Sequence, residues 1–155
     1  MVMLELHQVT IGQLIREFSL TVSGGQLVCL SGARGSGKTT LLRAVLGFLP
    51  IDGGHISIDG ELLTPQSAPY FRRQTAYVPQ RLSVPDGYRM VSADYLWLLR
   101  LAVESGKPLL IVDEPLQPLS DEDCRTADSL LEEAARRGCT VLAVNPRVTT
   151  NQIRL

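Results

Sequence analysis

Residues 31–40 read Ser-Gly-Ala-Arg-Gly-Ser-Gly-Lys-Thr-Thr, and this stretch is the strongest indication of the fold class. It contains Gly32-x-x-x-x-Gly37-Lys38-Thr39, the complete spacing of a phosphate-binding loop. The apolar run before it (27–30) predicts a buried strand, and the run after it (41–46) predicts a helix. Glycines let consecutive backbone N–H groups turn toward an anion, and a helix beginning near Lys38 directs its positive dipole end at the same anion. The segment is therefore predicted to bind phosphate groups.

The loop supplies a specific set of candidate ligand-binding residues. Lys38 adds a point charge for terminal phosphates, and the hydroxyl of Thr39 is suited to ligate Mg²⁺. The remaining positions contribute backbone N–H groups or lie directly beside them. The residues predicted to bind the nucleotide are Gly32, Ala33, Arg34, Gly35, Ser36, Gly37, Lys38, Thr39 and Thr40.

Composition limits the class of protein. A length of 155 residues is enough for one domain with a real core, and a net charge of −1 gives no broad attraction to nucleic acid, so no nucleic-acid partner is expected. Three cysteines without a C-x-x-C pair favour reduced thiols in a cytosolic protein. We expect neither a signal peptide nor a membrane span, because the N-terminus has no basic start and no run reaches about 18 apolar residues. A membrane association would then be peripheral, through a partner.

The pattern along the chain predicts one α/β domain over residues 1–155. Residues 4–9, 18–22 and 55–59 alternate between apolar and polar, as half-buried strands do, whereas 109–112 and 140–144 are continuous apolar runs typical of strands buried on both faces. Cap and stop signals predict helices at 38–47, 92–103 and 120–137. The predicted fold class is a P-loop NTPase, with a mainly parallel sheet flanked by helices and a small antiparallel β-subdomain. The antiparallel part is assigned to 1–26 and 51–63, and the α/β core to 27–50 and 75–155.

The middle of the second predicted helix, residues 95–99, is apolar nearly all round. Such a helix is either buried on several sides or carries a surface for a partner. We favour burial, because a helix packed on a parallel sheet is often covered again.

Two acidic residues follow the apolar strand 109–112 in a Walker B arrangement. Because strand carboxyl ends converge on the ligand crevice of such sheets, Asp113 is predicted to hold the Mg²⁺ shell and Glu114 to orient and polarise the attacking water. The alternative is a pair of solvent-facing acids at a strand end. Gln80 follows another apolar strand, and its amide oxygen would reach the metal or the water, unless it is an ordinary loop residue.

Four stretches, taken together, resemble the nucleotide-binding domain of an ABC transporter ATPase. They are residues 25–42, 53–60 (Gly-Gly-His-Ile-Ser-Ile-Asp-Gly), 77–80 (Tyr-Val-Pro-Gln) and 109–115, and they follow one another in family order across most of the chain, from residue 25 to residue 115. The resemblance implies that ATP and Mg²⁺ are bound, and it identifies Gln80 as the Q-loop glutamine, Asp113 as the Walker B aspartate and Glu114 as the catalytic glutamate. It implies a catalytic set of Glu114, Lys38 and Gln80 and a metal set of Thr39, Gln80 and Asp113. The implied partner is an integral membrane permease or another subunit of a membrane complex, which would hold the chain on the cytoplasmic face of the cell membrane.

The chain also departs from the family pattern. The family carries a helical subdomain and a Leu-Ser-Gly-Gly-Gln signature between the Q-loop and Walker B, but only residues 81–112 lie there, and residues 91–95 are at best a degenerate remnant. Ser-Gly-Gly-Gln at 23–26 precedes the phosphate loop and is predicted to be a turn. Asn145-Pro146 occupy the position of the family's switch histidine. Ser120 occupies the position of the D-loop aspartate, with Asp121 next to it. No aromatic residue stands where the family stacks one on adenine, and Ile11 lies nearest that position.

Three hypotheses follow. The first is a reduced ABC-type ATPase subunit, whose hydrolysis is slow or partner-dependent because a homodimer would lack the signature that caps the γ-phosphate. The second is a non-hydrolysing nucleotide-binding module that regulates or assembles a complex. The third is a small P-loop kinase, for which the candidate lid arginines are Arg72, Arg73, Arg81 and Arg89. The first is favoured; a homodimer and a heterodimer both remain open.

Overall fold

The computed structural model describes residues 2–33, 35–80, 92–115, 119–144 and 152–155. Two features named in the sequence lie outside these residues: Arg34 and Asn145-Pro146. Arg81 and Arg89 lie outside them as well. The described elements are β1 (Leu4–Ile11), β2 (Ile15–Val22), β3 (Leu27–Ser31), α1 (Lys38–Val45), β4 (Gly53–Ile58), β5 (Glu61–Leu62), α2 (Ala68–Arg73), β6 (Thr75–Val78), α3 (Ser92–Glu104), β7 (Leu109–Val112), α4 (Asp121–Arg136), β8 (Thr140–Val144) and β9 (Gln152–Arg154).

The main sheet has five strands in the order β6-β7-β8-β3-β9, and all its pairings are parallel. Every residue of β7 and β8 is buried, which explains why these strands are continuous apolar runs. A second sheet, in the order β2-β1-β4-β5, is antiparallel throughout. The predicted fold class, a parallel sheet flanked by helices with a small antiparallel part, is therefore confirmed.

Two apolar clusters lie on the two faces of the parallel sheet. One joins inward residues of the antiparallel sheet, such as Leu4 and Ile56, to Leu42 of α1 and Ile111 of β7. The other packs α3 and α4 on the opposite face, through residues such as Leu131. The phosphate loop thus leaves a strand that is held from both sides, which keeps its geometry rigid.

The α3 helix is covered on one face only. Tyr95 is 4% exposed and Leu99 is fully buried, as expected for residues that pack against α4 and the sheet. Trp97 is 60% exposed and Leu101 is 45% exposed. The preference for burial across residues 95–99 is therefore right for Tyr95 and Leu99 and wrong for Trp97, because a continuous apolar run does not reveal that a second layer is missing on its outer side.

Three short elements were not predicted: β5, α2 and β9. Their few residues show no clear periodicity, and β5 and β9 depend on a neighbouring strand for their hydrogen bonds. No helix in the described ranges has the length and apolar character needed to cross a membrane.

Candidate functional site

The phosphate loop connects β3 to α1, which begins at Lys38. Gly37 caps this helix at a φ of 99°, a left-handed conformation that disfavours other residues. A Cβ at this position would also lie 2.7 Å from Cδ1 of Ile15. The first turn of α1 contains no acidic residue, so the positive end of the helix is available to an anion in front of it.

The Lys38 ammonium lies across the loop rather than in solvent. Its Nζ donates a hydrogen bond of 2.7 Å to the carbonyl oxygen of Gly32 and lies 3.6 Å from Oε1 of Glu114. The Lys38 side chain is 12% exposed and that of Glu114 is 30% exposed. The lysine therefore bridges the first residue of the loop and the acidic pair that follows β7.

Ser36 lies at the closest approach inside the loop. A Cβ added to Gly32 would lie only 2.6 Å from Ser36 Oγ, so this position of the loop has no room for a side chain. The Ser36 Oγ atom is buried and has no hydrogen-bond partner within the described part of the chain. A buried hydroxyl without a partner is costly, and it suits a loop that closes around a polar ligand. The residues present therefore fit a bound phosphate group.

Asp113 is fully buried, and each of its polar groups is engaged. Its Oδ2 accepts a 2.8 Å hydrogen bond from Thr39 Oγ1, its Oδ1 accepts one of 2.9 Å from the Glu114 N–H, and its own N–H donates to Val78 O at 2.9 Å. Burial raises the pKa of the Asp113 carboxyl above its usual value, against the opposing effect of the Thr39 and Glu114 hydrogen bonds. The hydroxyl of Thr39 and this carboxylate are the hard oxygen ligands that Mg²⁺ prefers, so the pair fits that cation.

Gln80 is not part of the hydrogen-bonded set. It follows β6, whose Val78 pairs with Val112 of β7, so the main chain places it on the strand next to Asp113. It is half-buried, and its side chain makes none of the described hydrogen bonds. The structure brings Lys38, Thr39, Asp113 and Glu114 together, and in the described part of the chain Gln80 takes no part in their hydrogen bonds.

Two residues next to the site were not identified from the sequence. The Tyr95 hydroxyl donates to the backbone carbonyl of Asp113. Leu14 is 51% exposed, and its Cγ would lie 3.0 Å from a Cβ at Gly37, whereas Ile11 is only 8% exposed and belongs to the core. The exposed side chain beside the loop is therefore Leu14 rather than Ile11. Tyr95 could not be separated by pattern from the other apolar positions of its helix.

Other sequence interpretations are resolved by local contacts. Residues 23–26 form a turn in which the Gln26 N–H donates to Ser23 O at 3.0 Å, as predicted. Ser120 caps α4, accepting a hydrogen bond of 3.1 Å from the Asp123 N–H. Arg72, a candidate lid residue for the kinase hypothesis, donates to Leu46 O and lies 4.9 Å from the ring centroid of Phe48, so it contributes to packing.

Comparison with known proteins gives consistent results. A family model described as ABC transporter matches residues 15–135. The manganese transport system ATP-binding protein MntB of Listeria innocua is 37% identical over 70 residues, which are 45% of this chain and 27% of that protein. The lipopolysaccharide export system ATP-binding protein LptB of Escherichia coli is 40% identical over 74 residues, which are 46% of this chain and 30% of that protein. The chain thus matches less than a third of the length of these relatives.

The fold also matches solved structures. A nucleotide-free ATP-binding cassette from an ABC transporter superposes with a TM-score of 0.76 at 15% identity, covering 95% of this chain and 82% of the other. At this identity the match concerns the fold alone.

Proposed function

Because the chain belongs to the ABC transporter family, we propose that it is an ATP-binding subunit that binds Mg-ATP and couples binding or slow hydrolysis to a membrane permease. One observation carries the proposal: Lys38 and Thr39 of the phosphate loop meet Asp113 and Glu114 at the carboxyl edge of the parallel sheet. This is the edge at which open α/β sheets bind their ligands.

The loop residues are assigned to the phosphates. The backbone N–H groups at the start of α1 and the Ser36 hydroxyl, which has no partner among the described residues, would face the ligand, with Lys38 as the fixed positive charge. Lys38 now contacts Gly32 O and Glu114, so it serves a phosphate by exchanging one of these contacts for it. Exchange of the second contact would release the Glu114 carboxylate from its charge partner.

The carboxylates and Thr39 are assigned to the metal and the water. Bound Mg²⁺ would neutralise charge on the phosphate oxygens. Thr39 and Asp113 supply oxygens for it, and Gln80 is proposed as a further ligand. Glu114, whose side chain remains 30% exposed, is accessible to a water molecule and would orient it.

Hydrolysis by the isolated chain is proposed to be slow. The family signature that would donate N–H groups to a second subunit's phosphate is absent from the sequence, and Tyr95, the last residue of its degenerate remnant, faces into the domain. Removing one such donor commonly raises the activation free energy by about 3 kcal/mol, which lowers the rate roughly a hundredfold. A homodimer would lack the cap, whereas a heterodimer with a chain that carries a signature would restore it. The alternative is a regulatory or assembly module that never hydrolyses ATP. The observation that supports it is Asn145 in the place of the switch histidine.

The partner is proposed to be an integral membrane protein, which would hold the chain at the cytoplasmic face. The exposed ridge of α3, formed by Trp97 and Leu101, is our candidate for part of the contact. A test is co-purification of the tagged chain with solubilised membrane proteins, with Trp97→Ser as the matched variant. Equal recovery of the same membrane protein by both chains would remove the ridge from the proposal.

Nucleotide affinity is the decisive measurement. The dissociation constant of Mg-ATP should rise at least tenfold in Lys38→Ala and change little in Glu114→Gln, because the first removes a charge from the phosphates and the second replaces the proposed water-orienting group. Glu114→Gln should reduce the slow hydrolysis to a small residual rate. Wild-type protein that fails to bind Mg-ATP would refute the proposal, and rapid turnover by the lone chain would refute its statement that hydrolysis is slow.

A further inference from the structure

Tyr95 is a buried polar side chain in contact with the site. It lies on the inner face of α3 at 4% exposure, and its hydroxyl donates to the backbone carbonyl of Asp113. Burial, followed by the charges of Asp113 and Glu114, raises the pKa of Tyr95 far above its ordinary value. The hydroxyl is thus directed at this carbonyl.

The acceptor belongs to the peptide unit that joins Asp113 to Glu114. The N–H of the same unit donates to Asp113 Oδ1 at 2.9 Å, so both ends of its dipole are held. The carboxylate of Asp113 is held separately, by Thr39. Because peptide units are planar, fixing the carbonyl and the N–H fixes the plane from which the Glu114 Cα projects.

Packing of α3 does not depend on this hydroxyl. Leu99 on the same helix is fully buried in the cluster formed with α4 and the sheet, and the Tyr95 ring belongs to that cluster too. The hydroxyl adds one directed contact just after the end of β7, on the carbonyl that follows the Asp113 N–H, which still donates to Val78 O of β6. A directed contact just after the end of a strand is suited to positioning.

We propose that Tyr95 is a positioning residue for hydrolysis, which orients the Asp113–Glu114 peptide so that the Glu114 carboxylate faces the attacking water. This inference rests on the proposed function, since it needs Glu114 to act on a water. It separates two properties of the site: nucleotide binding, which depends on the loop, and the chemical step, which depends on the direction of Glu114.

The test compares single-turnover ATP hydrolysis and Mg-ATP affinity in Tyr95→Phe. We expect the rate to fall about tenfold, which corresponds to 1.4 kcal/mol, while the dissociation constant changes by less than twofold. Leu99→Val, which removes a buried methylene from the same helix, is the control for general loosening, and Tyr70→Phe, at a half-exposed ring, is the control for loss of a phenol. Replacing Tyr95 by para-aminophenylalanine restores a hydrogen-bond donor to the Asp113 carbonyl and should recover most of the single-turnover rate.

A double-mutant cycle asks whether Tyr95 acts through Glu114. In the Glu114→Gln background, Tyr95→Phe should leave the residual rate unchanged, because there is no carboxylate left to orient. An equal tenfold loss in that background would overturn the inference, as would a parallel loss of affinity and rate, an equal effect of Leu99→Val, or a Tyr95→Phe chain that fails to fold.

The outcomes also separate this inference from the proposed function. Wild-type protein that does not bind Mg-ATP would refute the proposed function. Wild-type protein that binds Mg-ATP but shows no hydrolysis over many hours would leave nucleotide binding intact and overturn the assignment of Tyr95, because there would be no reaction to position.

Discussion

Replacing Ser36 by alanine should stabilise the nucleotide-free protein and weaken its binding of nucleotide. The Ser36 Oγ atom is buried and lacks a hydrogen-bond partner among the described residues. A buried hydroxyl left unsatisfied costs about 1–3 kcal/mol, so its removal should raise the free energy of unfolding by about 1 kcal/mol. For a chain of this length, that change corresponds to an increase of about 2–4 °C in the melting temperature.

The effect of Ser36→Ala on stability should change sign when Mg-ATP is present, so that the variant becomes less stable than the wild type. If the hydroxyl donates to a phosphate oxygen, alanine forfeits a hydrogen bond to a charged group, worth about 1.5–3 kcal/mol, and the dissociation constant should rise roughly 10- to 100-fold. The assay is thermal unfolding by circular dichroism with and without Mg-ATP, together with a titration that measures affinity.

The matched control is Ser57→Ala. Ser57 is also buried, at 6% exposure, but its hydroxyl has a partner, Glu5 Oε2, at 3.4 Å, and it lies outside the phosphate loop. We expect this variant to be less stable than the wild type and to bind nucleotide normally. A nucleotide-free Ser36→Ala protein that loses stability as Ser57→Ala does, or one with unchanged affinity, would contradict the assignment of Ser36 to the phosphates.

Three further predictions concern burial and conformation. Asp113→Asn should raise the free energy of unfolding at neutral pH in the absence of Mg²⁺, since burial raises the pKa of Asp113 and so penalises the folded state once the carboxyl ionises. This gain in the free energy of unfolding should shrink as the pH falls through the raised pKa of Asp113. It should vanish below about pH 3.8, where the carboxyl is protonated in both the folded and the unfolded state. Urea unfolding across the pH range will measure it. Trp97→Glu should change stability by no more than about 0.5 kcal/mol, whereas Leu99→Glu on the same helix should abolish cooperative unfolding; equal effects would contradict the exposures of 60% and 0%. Gly37→Ala should lower the free energy of unfolding by about 1–2 kcal/mol, as measured by chemical unfolding, because Gly37 has a φ of 99° and an added Cβ would lie 2.7 Å from Ile15. An unchanged stability would contradict the loop geometry.

The fold class was accessible from the sequence because its strongest signals are local. The spacing of the phosphate loop, the continuous apolar runs of β7 and β8, and the caps of α4 each depend on neighbouring residues in the chain. The missed elements, β5, α2 and β9, are short, and the two strands are defined by hydrogen bonds to residues distant in sequence. The exposure of Trp97 was missed for a related reason: an apolar run shows that a helix can be buried, but only its neighbours decide which side is covered.

The phosphate loop and the acidic pair after β7 could be identified from the sequence, because both are motifs whose chemistry follows from residue type and spacing. Their contacts are seen only in the folded chain: Thr39 binds Asp113, Lys38 lies between Gly32 and Glu114, and the Ser36 hydroxyl has no partner among the described residues. The contact of the Tyr95 hydroxyl with the Asp113 carbonyl is likewise seen only there. The contacts between the loop and the acidic pair join residues that are far apart in the sequence, because β3 and β7 both pair in parallel with β8. The spacing within a local motif does not record such pairing.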